Sequence, residues 1–336
     1  MRVLVVRYSA LGDVVLATSI LDPLLAAHPG AHVEWVTSPA YAPLLAGLPQ
    51  LAAVHALPKG TGATLALRRA LAGKFDVAVD LQNKVRSGLV ARAAAPRRLT
   101  FQRRSIGQAV GALFGDDPPL VRAHQTQLYT EVLAPLGVTA AGATHVSLSE
   151  RGRAEAEAAL GAVRGPVVAV APGAAWATKR WAPERFAATA DALAAHGASI
   201  VLAGGPGDRE AFAAFRAAAK APVAADLSDL SVEGLAAVIA RVDLLVSCDS
   251  GPVHLASALG TPVVAVFGPT SPVRWGPSGP AARVVRSGPP CSPCTNHGDP
   301  ACPNQNGHRC MGDLQPPVVI SAARELLDAP RRRGAR

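Results

Sequence analysis

The stretch Val246-Ser247-Cys248-Asp249-Ser250-Gly251-Pro252-Val253-His254-Leu255-Ala256, followed by Gly260-Thr261-Pro262 and the run Val263 to Pro269, decides the fold. Leu244 to Ser247 is an apolar run ending in small polar residues, as a buried strand does at its carboxyl end. Asp249 or Ser250 is positioned to cap a helix that Pro252 begins, because proline at the first helical position gives up only an N–H without an intrahelical partner. Val263 to Phe267 then reads as the next buried strand. The unit is strand–turn–helix–strand, with a carboxylate, a hydroxyl and a glycine where ligands sit in an open parallel sheet. Free N–H groups at a helix start suit a phosphate. Asp249 would repel one, so a sugar hydroxyl, a ribose or its own backbone is its expected partner. A capped helix in an ordinary α/β fold explains the same residues with no ligand at all.

Working outward, strand-like and helix-like segments alternate along the chain. Val3 to Arg7, His32 to Thr37, Val54 to Leu57 and Asp76 to Asp80 read as strands. Asp13 to Ala27, Thr61 to Ala72, Val85 to Ala94 and His124 to Leu136 read as helices. After a charged, alanine-rich helix that Ser149 is placed to cap, the alternation restarts at Val167 to Ala171 and runs through Ser199 to Ala203 into the opening stretch. Repeated βαβ units imply a parallel sheet covered on both faces. The expected architecture is α/β, with two Rossmann-like domains over 1–155 and 156–315, a helix over 316–330 and a basic tail over 331–336. Residues 96–123, with Arg97, Arg98, Arg103 and Arg104 among apolar residues, are the least legible part.

A length of 336 residues is about two domains' worth. A 49% hydrophobic content with mean hydropathy +0.23 can fill two cores. The net charge is +9, and only Lys59, Lys74, Lys84, Lys179 and Lys220 are lysines among the 33 basic residues. Base composition of the genome explains part of that arginine excess, and an anionic partner explains it equally. The start runs directly into a strand with no apolar leader, and no run of about 18 uncharged apolar residues appears. A cytoplasmic protein is expected.

Three strand-end loops carry the unusual residues. In Arg7-Tyr8-Ser9-Ala10-Leu11-Gly12-Asp13-Val14 a single glycine stands where a dinucleotide fingerprint needs three, which removes the main support for a nicotinamide or flavin. Asp13 at a helix start is an N-cap or a general base. The loop from Ala171 to Pro183 holds Pro172-Gly173, Trp176, Thr178, Lys179, Arg180 and Trp181. Its cations are a surface stacking pair beside the tryptophans, or groups that neutralise a diphosphate. Asp116-Asp117 is the one adjacent acidic pair that raises a catalytic metal, and Pro118-Pro119 beside it points to a loop.

Together these blocks resemble the ADP-heptose:lipopolysaccharide heptosyltransferase family, glycosyltransferase family 9. The resemblance rests on Gly12-Asp13-Val14, Pro172-Gly173 with Lys179-Arg180-Trp181, Asp249 to His254, and Phe267-Gly268-Pro269-Thr270, in order over nearly the whole chain. It implies a GT-B fold with the acceptor on the first domain, the donor nucleotide on the second, and the last helix crossing back to pack on the first. It implies inverting transfer of heptose from ADP-heptose to the inner core of lipopolysaccharide, onto Kdo or heptose on lipid A. No cofactor would be required and no nucleic acid is expected as a partner. The enzyme would work in the cytoplasm or peripherally on the cytoplasmic face of the inner membrane. Asp13 would match the catalytic base and Lys179 the lysine that neutralises the departing diphosphate. Asp249 would contact the donor sugar, with Ser250 and Gly251 turning at the phosphates and Thr178, Arg180 and His254 completing the donor site. Lys84 and Arg86, in a segment similar to the family's acceptor-side loop, would meet acidic Kdo or phosphate groups; a solvated basic helix start is the alternative.

Departures bear on the donor. Ala174 and Ala175 stand where members often carry Ser or Thr, so backbone N–H groups or Thr178 must serve, and Pro252-Val253 stand where Leu-Ser is frequent. A family-9 relative using another sugar nucleotide is therefore the alternative. By position, the loops Ala203 to Gly207 and Asp226 to Ser231 should flank the base and ribose. Cys291, Cys294, Cys302 and Cys310, with His297 and His308 between, form a Pro/Gly-rich segment. A structural zinc, reduced thiols in a packed loop, or disulfides are its three readings. A basic zinc-bearing nucleic-acid-binding module would explain the charge and the thiols but leave the tandem pattern and Asp13 without a role.

Overall fold

The structure is a computed structural model that describes residues 1–102, 123–304 and 307–330. Arg103, Arg104, Asp116-Asp117, Pro118-Pro119 and the tail Arg331 to Arg333 lie outside the described residues. The chain forms two compact units, Met1–Glu150 and Arg151–Arg336.

In the first unit, β1 (Arg2–Val6), β2 (His32–Thr37), β3 (Ala53–Ala56), β4 (Val77–Asp80) and β5 (Arg97–Thr100) make a parallel sheet in the order β3-β2-β1-β4-β5. Val3 to Val6 are wholly buried, as a central strand covered on both faces requires. Its helices are α1 (Leu11–Ala17), α2 (Leu21–Ala27), α3 (Thr61–Leu71), α4 (Val85–Ala94) and α5 (Gln125–Glu131). A single helix was expected over Asp13 to Ala27. The chain instead makes α1, a 3-10 turn at Thr18–Ile20 and then α2. The hydroxyls of Thr18 and Ser19 bond back to the carbonyls of Val15 and Leu16, competing with the helical ladder there.

In the second unit, α6 (Glu150–Leu160) leads into β6 (Val167–Ala171), α7 (Pro183–Ala194), β7 (Ser199–Ala203), α8 (Arg209–Ala218), β8 (Val223–Leu227) and α9 (Val232–Arg241). Then come β9 (Leu244–Cys248), α10 (Gly251–Leu259), β10 (Val263–Val266), α11 (Pro272–Trp275), β11 (Ala282–Val285), α12 (Arg309–Gly312) and α13 (Pro316–Asp328). The sheet is parallel, in the order β11-β10-β9-β6-β7-β8. In both sheets the first strand of the unit lies centrally and the chain grows outward from each side of it. The crevice at that reversal falls beside the carboxyl ends of β1 and β4 in one unit, and of β6 and β9 in the other. These are the places where doubly wound sheets bind ligands.

The last helix contributes to the core of the second unit. Val319, Ala323 and Leu326 of α13 share a core with Phe186, Leu193 and Val266. Its apolar stripe at i, i+4 and i+7 is buried there, against α7 and β10.

Candidate active site

In the second unit, Lys179 ends a 3-10 turn, Ala177–Lys179, in the loop after β6, and Asp249 directly follows β9. Parallel pairing sets Val170 beside Val246 and Ala171 beside Ser247, so the two loops leave adjacent strand ends. Lys179 Nζ lies 2.6 Å from Asp249 Oδ2, with the two side chains 13% and 4% exposed. The hydroxyl of the fully buried Thr270 donates to the same oxygen at 2.6 Å. Asp249 was expected to cap a helix or to meet a sugar hydroxyl, a ribose or its own backbone. Its charge is neutralised by Lys179, which removes its repulsion toward a neighbouring phosphate and leaves the ammonium two further donors.

Helix α10 begins at Gly251, with Pro252 second, and no side chain caps it. Ser250 Oγ turns away to Cys248 O, at 3.1 Å, and lies 3.1 Å from Ser247 Oγ. The expected side-chain cap is therefore absent, and the first N–H groups of the helix keep their partial positive charge at the strand end. His254 is buried in the first turn of this helix. Cys248 is wholly buried; burial pushes its thiol up to about 12, so it is an inert packing group that accepts the Trp181 N–H at 3.3 Å.

The cysteine-rich segment holds the lysine loop in place. Thr178 Oγ1 donates to Asp299 O at 2.9 Å and accepts from Asp299 N at 2.8 Å, and His308 Nε2 lies 2.6 Å from Thr178 O. The Thr178 hydroxyl thus ties the lysine loop to the backbone of Asp299. Arg180 is exposed, and its Nε donates to Ala174 O at 3.0 Å. Trp181 is buried, donates from Nε1 to Leu314 O at 3.1 Å and meets Phe186 edge-on. Its ring belongs to the core and is not a surface partner for the cations.

In the first unit, the loop after β1 carries Arg7 and Asp13. Asp13 is the third residue of α1, so it is not the N-cap; its Oδ2 reaches back to the Ala10 N–H at 3.4 Å. Arg7, 4% exposed, pairs with Asp13 Oδ2 at 2.8 Å, and Tyr129 of α5 donates to Asp13 Oδ1 at 2.6 Å. Across the crevice, Gln82 Oε1 accepts from Tyr8 N at 2.9 Å and Ser9 N at 3.3 Å, tying the loops after β1 and β4 together. Lys84 is exposed at the N-cap of α4. Arg86 is half-buried in the first turn of α4. It bonds Thr64 Oγ1 at 2.7 Å and Pro58 O, and lies over the Tyr8 ring.

Cys291, Cys294, Cys302 and Cys310 line one pocket with His308 and Asp299. Among the described residues no group of three or more His, Cys, Asp or Glu side chains is placed to hold a metal ion. Burial raises the Cys294 thiol and pushes Cys310 up to about 11, and the neighbouring thiols of the segment add to both rises. Of the three readings of this segment, a structural zinc finds no such ligand group among the described side chains. All four are free thiols. No described helix is long and apolar enough to cross a membrane.

Residues 64–304 match the model of glycosyltransferase family 9 (heptosyltransferase). The chain belongs to this family. It is a glycosyltransferase, with the two parallel-sheet units of the GT-B fold. Among its relatives is lipopolysaccharide heptosyltransferase 1 of Pseudomonas aeruginosa, 28% identical, with 98% of this chain and 99% of that protein aligned. A family-9 glycosyltransferase structure from Veillonella parvula superposes with a TM-score of 0.81 at 25% identity, covering 97% of each chain. The ADP-heptose lipopolysaccharide heptosyltransferase II of Escherichia coli shares the fold, with a TM-score of 0.73 at 23% identity over 97% of this chain and 98% of that one.

Thr270, Arg7, Tyr129 and Asp299 are the site residues that spacing did not single out. Thr270 and Arg7 lie inside quoted motifs, but only the fold shows their partners. Tyr129 reads as one more aromatic on a helix face, and Asp299 as one more loop carboxylate, though it acts through its backbone.

Proposed function

We propose that this family-9 glycosyltransferase moves heptose from ADP-heptose to the inner core of lipopolysaccharide, onto Kdo or heptose on lipid A, with inversion and without a catalytic metal. The observation that carries the reading is the Lys179–Asp249–Thr270 cluster beside the α10 start, at the strand-order reversal of the second sheet. In this reading residues 156–315 bind the donor and residues 1–155 the acceptor, on the cytoplasmic face of the inner membrane. Lys179, with the backbone of Ser250 and Gly251, takes the diphosphate, and Asp249 faces a hydroxyl of the sugar. His254 supports that helix start from within, Arg180 lies at the exposed rim, and Lys84 meets acidic groups of the acceptor.

The acceptor hydroxyl oxygen attacks the anomeric carbon from the face opposite the leaving group. The bond between that carbon and the diphosphate oxygen breaks, ADP departs with the electron pair, and Asp13 takes the hydroxyl proton. A fixed cation and helix N–H groups stabilise the charge growing on the diphosphate without reorganising. A positioned base contributes roughly 10²–10⁴-fold.

Thermal stabilisation across ADP-heptose, UDP-sugars and GDP-sugars tests the donor. A ligand at 100 times its Kd adds about 2.7 kcal/mol to apparent stability, so ADP-heptose should raise Tm by several degrees and the others should not. A larger rise with a UDP- or GDP-sugar would replace ADP-heptose by that donor, the outcome that the Ala174-Ala175 and Pro252-Val253 departures allow.

A further inference from the structure

We propose that Tyr129 is a positioning residue for the base. By donating its phenol hydrogen to Asp13, it fixes which lone pairs of the carboxylate meet the acceptor hydroxyl and sets the pH at which the base becomes active. The inference rests on reading Asp13 as the base.

Tyr129 comes from α5, 116 positions along the chain from Asp13, yet its hydroxyl stands 2.6 Å from Asp13 Oδ1. A buried phenol must find an acceptor, and a backbone carbonyl would satisfy it. Here it is aimed at a carboxylate that already has a cation. Arg7 holds Oδ2 at 2.8 Å, and its own NH1 is pinned to Leu81 O. The tyrosine ring cannot swing away. It is 1% exposed, meets Phe101 edge-on at 5.2 Å, and carries the Arg7 guanidinium 5.4 Å above its centroid. Two donors from different elements therefore fix the plane of the carboxylate. The plane of the carboxylate decides where the lone pairs of its two oxygens point.

The second consequence is electrostatic. A hydrogen bond donated to an ionised carboxylate favours that form, so the base stays unprotonated to lower pH. Among the described residues, the titratable and charged groups facing Asp13 are Arg7 from the end of β1, Tyr129 from α5 and Tyr41 from the loop after β2. Burial raises the Tyr41 phenol and the Asp13 charge adds to that rise, so Tyr41 stays neutral across the working range.

The test is the pH dependence of kcat/KM for Tyr129→Phe, with ADP-heptose and a Kdo-bearing lipid A acceptor, and Asp13→Ala measured beside it. Phenylalanine keeps the ring packing and removes only the donor. The expected result is a kcat lower by about 10- to 100-fold, an unchanged donor KM, and an acid limb displaced to higher pH by about one unit. Site-specific 3-fluorotyrosine at position 129, a stronger donor in a ring of nearly the same shape, should move the limb to lower pH. An acid limb unmoved in both variants, with Asp13→Ala inactive, overturns the role of Tyr129 and leaves the base assignment standing. Transfer at the wild-type rate by Asp13→Ala overturns both.

Discussion

The 2.6 Å contact between Lys179 and Asp249 joins two charges that act on a diphosphate in opposite senses. Taken singly, the lysine attracts and the carboxylate repels; taken as a pair, they present a neutralised acceptor and spare N–H donors. Such a buried pair is costly to break, because removing one partner leaves an uncompensated charge worth about 3–5 kcal/mol. Thr270 is the more discriminating place to intervene, since its hydroxyl donates to Asp249 Oδ2 and its replacement keeps both charges in place. Thr270→Val preserves shape, removes one donor from a buried carboxylate and should cost about 1–3 kcal/mol. Denaturant unfolding should show that loss, and calorimetry should show ADP affinity reduced several-fold. Wild-type values for both would mean that Thr270 does not orient Asp249. The individual charges at this site were legible in the sequence because their types are unusual at strand ends. Their pairing was not, because Lys179, Asp249 and Thr270 lie far apart in sequence and meet only through the strand order β10-β9-β6.

At the scale of elements, the segment between β11 and α12 works as a brace for the lysine loop. Cys294 N and Thr295 N both donate to Pro269 O, Arg274 bonds Asn296, and Asp299 is locked to Thr178. Between these ties Gly298 runs against Lys179. A Cβ there would lie 2.9 Å from Lys179 Cγ and Cδ and 2.7 Å from Trp176 Cβ, and its φ of +94° already favours glycine. Gly298→Ala should therefore displace the lysine and weaken ADP binding by at least tenfold in calorimetry, while the Tm falls by only a few degrees. Unchanged ADP affinity would show that the segment does not position Lys179. Element recognition followed burial. The central strands announce themselves as apolar runs, whereas β5 (Arg97–Thr100), β8 (Val223–Leu227) and β11 (Ala282–Val285) were not expected. Each is a short edge strand with half its residues or more outside the core, so no continuous apolar run marks it. The helices after Gly60 and Lys84 and the last helix lie within a few residues of where they were expected.

At the scale of the whole molecule, the tandem βαβ alternation was enough to expect two parallel sheets, because period and segment length are local properties of a chain. The destination of the last helix was not local. Its amphipathic stripe states only that one face must be buried, and Val319, Ala323 and Leu326 find that burial in the second unit. The same limit applies to the cysteines, whose spacing is compatible with a metal although the folded side chains are not arranged around one. Membership of family 9 and the strand-order crevices in each unit converge on sugar transfer from a nucleotide donor. The most direct test is a transfer assay with ADP-heptose and a Kdo-bearing lipid A acceptor, run with EDTA, following ADP release and the anomeric configuration of the product. The account predicts turnover that EDTA does not abolish, a product of inverted configuration, and loss of transfer in Asp13→Ala with nucleotide affinity kept within a few fold. Retained configuration, or transfer by Asp13→Ala at the wild-type rate, would contradict it.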